Sequence, residues 1–238
     1  MPGGRRGPDL PYKLLASVVP LARGWLVATA RLQGITAFPA EPEVYETFLD
    51  VLDARPAFDV VALHIPLGLP SERVPGGRTC DREARKLVGF TRGGALFSPP
   101  TREQLADFKA GRRVDAGPIV QFLLPRIVEV YEEIAPYQQR TVFEIHAETS
   151  YYQLNDDRPL RYGTHLEAGR EERRELLLTR MQGIDLVLDA ELPHVGRHHL
   201  LDAAAGLWTA RRIISRAATK LPADPEWDED GLRMEILR

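Results

Sequence analysis

Asp59-Val60-Val61-Ala62-Leu63-His64-Ile65 is the stretch on which the fold turns. Its near-continuous apolar run has the length of a strand. Uninterrupted runs of this kind suit a parallel strand covered on both faces rather than one that alternates toward water. Pro66 and Pro70 forbid further pairing and Gly68 permits a tight turn, so the strand ends abruptly. Upstream, Glu43–Leu52 carries Val44, Phe48, Val51 and Leu52 at the spacing of an amphipathic helix. Further back, Leu14–Val19 and Gly24–Ala28 flank Pro20 within Lys13–Arg31 and read as a strand, a turn and a second strand, most simply a hairpin. Strands, a helix, then a buried strand predict an α/β fold. His64 stands at the carboxyl end of that buried strand, where open α/β sheets place ligand groups, although an isolated histidine there is more often structural.

The composition narrows the class. The 238 residues are 44% hydrophobic and 27% charged, as in ordinary globular proteins, and a net charge of −3 argues against a generally basic nucleic-acid binder. The length predicts one domain over 13–238, after a disordered leader at 1–12. Cys80 is the only cysteine, which excludes an intrachain disulfide and points to a reducing cytoplasm. No apolar run approaches the roughly 20 residues of a spanning helix, so no membrane partner is expected.

Downstream, Arg78–Arg113 is basic, with nine Lys or Arg against four Asp or Glu. Asp81–Val88 reads as a helix carrying Arg82, Arg85 and Lys86. Gly93–Arg102 reads as a stiff loop in which Phe97 is available to stack on a base. A solvated helix face and an ordinary proline loop explain the same residues. No phosphate-loop glycine signature is present. Gly117–Ile134 predicts a core helix kinked or broken at Pro125.

Val142–Tyr152 (VFEIHAETSYY) reads as a second strand, which would place Glu144, His146 and Glu148 on one face. Two carboxylates flanking an imidazole fit a divalent-metal or general-base site, and equally the polar face of an edge strand. Leu160–Leu178 mixes Arg170, Arg173 and Arg174 with Glu167, Glu171, Glu172 and Glu175, the pattern of a salt-bridged helix. His199–Arg212 predicts a buried helix. Ala205, Gly206 and Thr209 share a face with Asp202, and such small side chains let the helix press on a sheet and aim one carboxylate into a cleft.

Eight segments in register then carry a resemblance. They are Gly24-Trp25, Ile65–Pro70, Cys80–Arg85, Phe97–Arg102, Glu144–Glu148, Gly169-Arg170 with Arg173, Leu201–Ala203 and Gly231–Ile236. In these the chain resembles the family of uncharacterised proteins called domain of unknown function 429, predicted RNase H-like nucleases. The resemblance implies an RNase H-like mixed sheet flanked by helices and a hydrolase cutting phosphodiesters with two Mg²⁺ or Mn²⁺ ions, clamped about 4 Å apart by acidic side chains. It assigns Glu144, Glu148 and Asp202 as metal ligands, with His64 and His146 assisting catalysis. Arg82, Arg85, Phe97, Arg102, Arg170 and Arg173 are left to hold nucleic acid or another phosphate-bearing ligand.

Three departures stand against activity. Val19 occupies the position of the first-strand aspartate, His64 that of the aspartate before Ile-Pro, and His198-His199 that of an acidic pair. Valine cannot ligate a cation, and histidine favours Zn²⁺ or Mn²⁺ over Mg²⁺. The expectation is a family nuclease weakened or inactive in this copy. The competing readings are a non-catalytic scaffold that binds nucleic acid or protein, and a hydrolase using one His/Glu-bound transition metal.

Overall fold

The protein was analysed as a computed structural model that describes residues 11–238; the leader expected at 1–12 therefore falls almost wholly outside the described residues. The order is β1 (Lys13–Pro20), β2 (Trp25–Gln33), β3 (Thr36–Pro39), β4 (Glu43–Tyr45), α1 (Phe48–Leu52), β5 (Val60–Leu63), α2 (Thr79–Gly93), α3 (Arg102–Lys109) and α4 (Pro118–Glu133). A 3₁₀ turn (Pro136–Arg140) then leads into β6 (Val142–Glu144), α5 (Ala147–Leu154), α6 (Glu167–Arg180), α7 (Asp185–Leu188), α8 (Arg197–Ile214), β7 (Lys220–Trp227) and β8 (Arg233–Leu237). One mixed sheet runs β3-β2-β1-β5-β6, with β4 beside β2, and β7 pairs β8 separately. β1, β2 and β3 are antiparallel, whereas β5 runs parallel to both β1 and β6. The α/β prediction is met.

The sheet is covered on both faces, which is why β5 reads as an unbroken apolar run. Leu15 and Val19 of β1 and Val60 and Ala62 of β5 face the cluster built with Ala203, Ala204 and Leu207 of α8. Ala16, Val18, Val61 and Leu63 face the other way, onto Phe48, Leu124, Ile127 and Val130. Period-two alternation thus feeds two cores. On the second face Trp25 packs on Phe48 with ring centroids 5.4 Å apart, and its indole N–H donates to Glu129 at 3.0 Å.

The parallel register sets the site. Val18 pairs with Leu63 and Leu63 with Glu144, so three strands finish at one level. The backbone N–H of His64 donates to Val18 at 3.0 Å, and that of Ile145 donates to Leu63 at 3.0 Å. Carboxyl ends of parallel strands gather side chains in this way.

Two expected elements differ. The strand expected over Val142–Tyr152 stops at Glu144, and Ala147–Leu154 is helical. His146 is the N-cap, its ring nitrogen accepting from the Glu148 N–H at 3.2 Å, and Ala147, Tyr151 and Leu154 recur at helical spacing on the buried side. Glu144, His146 and Glu148 therefore do not share a strand face. The helix expected over Glu43–Leu52 is strand β4 followed by the single turn α1, because Thr47 caps and starts the helix there.

Helix α8 lies against β1 through Gly206. A Cβ placed there would collide with the Ser17 hydroxyl and lie 2.8 Å from Ser17 Cβ and 2.7 Å from His64 Nε2. Gly206→Ala should destabilise the protein by about 1–3 kcal/mol, overpacking outweighing the better helix propensity of alanine. Thermal unfolding should show a fall of roughly 3–8 °C in Tm. An unchanged Tm would mean that helix and sheet are not in this contact.

Candidate functional site

Three groups of polar side chains surround the carboxyl ends of β1, β5 and β6. The innermost is centred on Arg78, whose side chain is 1% exposed. Its guanidinium donates to Glu144 at 2.5 and 2.8 Å, to Asp81 at 2.8 and 3.1 Å, and to the carbonyls of Leu67 and Gly68 at 2.9 and 3.0 Å. Glu144 also accepts the Leu67 N–H at 2.6 Å. Burial disfavours the Arg78 charge, but the Asp81 and Glu144 carboxylates outweigh it and hold the guanidinium protonated. Burial pushes the Glu144 carboxyl up to about 7 against the pull of Arg78. The guanidinium thus keeps its proton, and burial offsets part of what the pairing does for the Glu144 carboxyl.

The second group is centred on Glu148, buried in α5. Arg92 donates to it at 2.6 and 3.1 Å and Arg173 at 2.6 Å. Burial works to raise this carboxyl, but the two guanidinium groups prevail and hold it below the usual range. Arg173 is itself fully buried, donating to the carbonyls of Tyr162 and Gly169 at 3.0 and 2.9 Å.

The third group is His64, Ser17 and Asp202. Ser17 Oγ lies 3.3 Å from His64 Nε2. Burial, and secondarily His146, pull the His64 pKa down to about 3, with only the Asp202 backbone carbonyl opposing. Burial also lowers His146, reinforced by Arg85 and opposed by Glu148 and Asp81. Both imidazoles are neutral at physiological pH. The half-buried Asp202 carboxyl is raised to about 7 by burial and the Glu148 charge, with Arg173 pulling weakly the other way.

The expected metal ligands are not brought together. Glu144 lines an inner cavity of about 20 Å³ with His64, Arg78, Asp81 and His146, space for little more than one water. Asp202 instead lines an outer cleft of about 660 Å³. Among the described residues, no group of three His, Cys, Asp or Glu is arranged to hold a metal ion. Val19 sits 4% exposed in the apolar cluster with Leu201 and Ala203, so the position of the missing aspartate is filled by core. The residues present do not fit a pair of Mg²⁺ or Mn²⁺ ions.

Nor do the expected phosphate-binding residues form one site. Arg82 donates to Thr79 at 2.8 Å and to the Gly77 carbonyl, and Arg85 donates to Leu96 O at 3.0 Å and Ser98 at 2.9 Å. Arg102 grips the hairpin turn through Asp230 at 2.5 Å. Arg170 donates to the carbonyls of Thr164 and His165 at 3.0 Å and to Glu167 at 2.5 Å or more. These are struts for loops. Phe97 lines a separate cleft of about 550 Å³ with Arg73, Gly76 and Gly77. Sequence reasoning passed over Arg78, Arg92, Asp81 and Ser17; the three charged groups lie in stretches read as solvated.

Asp202 makes the site's cost measurable. Unfolded, it ionises near 3.8; folded, near 7, so between these pH values the folded chain keeps a proton that the unfolded chain has released. Stability therefore falls as pH rises through that window and the penalty is complete above it. Asp202→Asn should unfold at the same temperature as the parent near pH 3.5 and about 5 °C higher at pH 8, on the order of 2 kcal/mol after allowance for partial solvation. Parallel melting curves at both pH values would contradict the burial of this carboxyl.

No helix among the described residues is long and apolar enough to cross a membrane. No curated protein and no solved structure matches the chain. The sequence profile of the family described as "Protein of unknown function (DUF429)" matches residues 20–227, most of the sheet and every helix. The chain belongs to the DUF429 family.

Proposed function

We propose that this protein is a catalytically degenerate RNase H-like member of its family, a scaffold that binds a phosphate-bearing ligand such as nucleic acid without two-metal hydrolysis. The observation that carries the reading is the occupation of the acidic side chains by arginine: Arg78 on Glu144, and Arg92 with Arg173 on Glu148. Cations of the size and charge of Mg²⁺ take oxygen ligands at close range and tolerate a guanidinium there badly. Releasing Glu144 would leave the Arg78 charge buried without that partner, at a cost of several kcal/mol. The mixed sheet flanked by helices agrees with the RNase H-like expectation.

What argues for a surviving ligand is Asp202. Among the described residues no hydrogen bond contributes to holding its charge, yet the chain keeps it half-buried at energetic cost. A perturbed carboxyl in a cleft is a candidate for a working site.

Purified protein incubated with labelled single- and double-stranded DNA and RNA in Mg²⁺ or Mn²⁺ should show no cleavage above a metal-chelated control. Electrophoretic mobility shift should still detect binding in the chelator. Metal-dependent cleavage abolished by Asp202→Asn would overturn the reading.

A further inference from the structure

The sheet is open at the end away from the buried acids. Strand register puts Leu14, Thr29, Arg31, Phe38, Glu43 and Tyr45 on one face. Trp25 and Val27 on that face are covered by the cluster containing Phe48, whereas Phe38 is 52% exposed. A cavity of about 180 Å³ opens here, lined by half-buried Leu14, Thr29, Tyr45 and Phe58 and by exposed Glu41 and Glu43. Well under the roughly 300 Å³ at which sites for drug-sized ligands begin, it has room for one side-chain head. Among the described residues, the Glu41 and Glu43 carboxylates take part in no ion pair or hydrogen bond. The one cation in the lining, Arg55, donates to the Asp53 and Ala54 carbonyls at 2.9 Å and so sits on its own turn. Burial, and then the charges of Glu43 and Asp50, push the Tyr45 hydroxyl up, so this ring stands in a negative field. The same face already carries a cation on an aromatic ring, the Arg31 guanidinium lying 5.1 Å from the Tyr12 centroid.

We propose that this cavity takes a lysine side chain from a basic segment of a partner protein, the ammonium resting on Tyr45 beside Glu41 and Glu43. Unpaired carboxylates next to aromatic walls complement a cation and repel an anion. An ammonium fits better than a guanidinium, because nothing braces these exposed glutamates into the planar geometry that an arginine fork uses. Phe38 and Tyr12, 52% and 39% exposed, extend the contact beyond the cavity, which favours a polypeptide over a free amine. Leu14 places the cavity at the start of β1, the opposite end of the sheet from Glu144. The assignment therefore stands independently of the nucleic-acid reading.

Titrating isotope-labelled protein with an end-blocked Gly-Lys-Gly tripeptide, followed by amide chemical shifts, tests the site. The amides of Thr29, Glu43 and Tyr45 should shift, with a dissociation constant on the order of millimolar. The same peptide acetylated on the lysine amine should shift none of them. Glu43→Gln should weaken binding about three-fold, the scale of one exposed ion pair. Arg55→Ala should tighten it, a gain that misfolding cannot imitate. Asp115→Asn, which removes an exposed carboxylate in the Phe97 cleft, should leave it unchanged. The site is overturned if the three amides stay still at tens of millimolar peptide, or if the acetylated peptide binds equally well. It is also overturned if Asp115→Asn weakens binding as much as Glu43→Gln does. Tighter binding of Gly-Arg-Gly would overturn the choice of lysine, and methylammonium binding as tightly as the peptide would overturn a protein segment as the occupant.

Discussion

The buried guanidinium of Arg78 is the constraint on which the rest of the site depends. It joins the end of β6 through Glu144, the start of α2 through Asp81, and the turn after β5 through the carbonyls of Leu67 and Gly68. A buried charge of this kind is tolerated only when its donors have partners, and all six of its hydrogen bonds go to the Asp81 and Glu144 carboxylates or to the Leu67 and Gly68 carbonyls. Gly77 is part of the same arrangement. At φ +78° it brings the chain so close that a Cβ would lie 2.6 Å from Asp81 Oδ2 and 2.7 Å from Ser98 Oγ. With the carboxylates committed to this guanidinium, the inner cavity shrinks to the size of one water.

The chemistry around it follows. Glu148, held charged by two arginines, contributes the field that raises Asp202 and opposes the loss of charge on His146. His64 is pressed between Ser17 and Gly206, too deeply buried to protonate at physiological pH. The polar groups divide into an inner set, mutually satisfied and rigid, and an outer one, where Asp202 meets the arginines of α6 and α8. Solvent reaches the outer set, where Arg197 is largely exposed, although Glu167 neighbours both Arg170 and Arg197.

Much of this architecture was legible in the residues. The run Asp59–Ile65 is apolar on both faces because two cores press on it, and that alone distinguishes a central parallel strand from an edge. The small face of Ala205, Gly206 and Thr209 announces close packing, Gly206 against Ser17 of the sheet and Thr209 against Ser150 of α5. Val142–Tyr152 was misread because β-branched and aromatic residues mask the capping role of His146, and because Glu144 and His146 sit two apart whether or not the strand continues. Strand β7 was invisible since Pro222 and Pro225 break its pairing, leaving an irregular register between Leu221 and Glu226. The arginine partners of Glu144 and Glu148 were hidden for a different reason. Arg78 reaches Glu144 across 66 residues and Arg92 reaches Glu148 across 56, and no local pattern announces such pairs. A basic stretch in one dimension became the neutralising partner of the acids in three.

Calorimetric titration of metal-stripped protein with Mn²⁺, alongside Arg78→Met, tests the central claim that arginine stands where cations would bind. The account predicts no saturable heat for the parent chain, since Glu144 and Glu148 are already paired with arginine. Saturable binding of two ions per chain, lost in Glu144→Gln and in Asp202→Asn, would show that these carboxylates converge on metal after all and would contradict it.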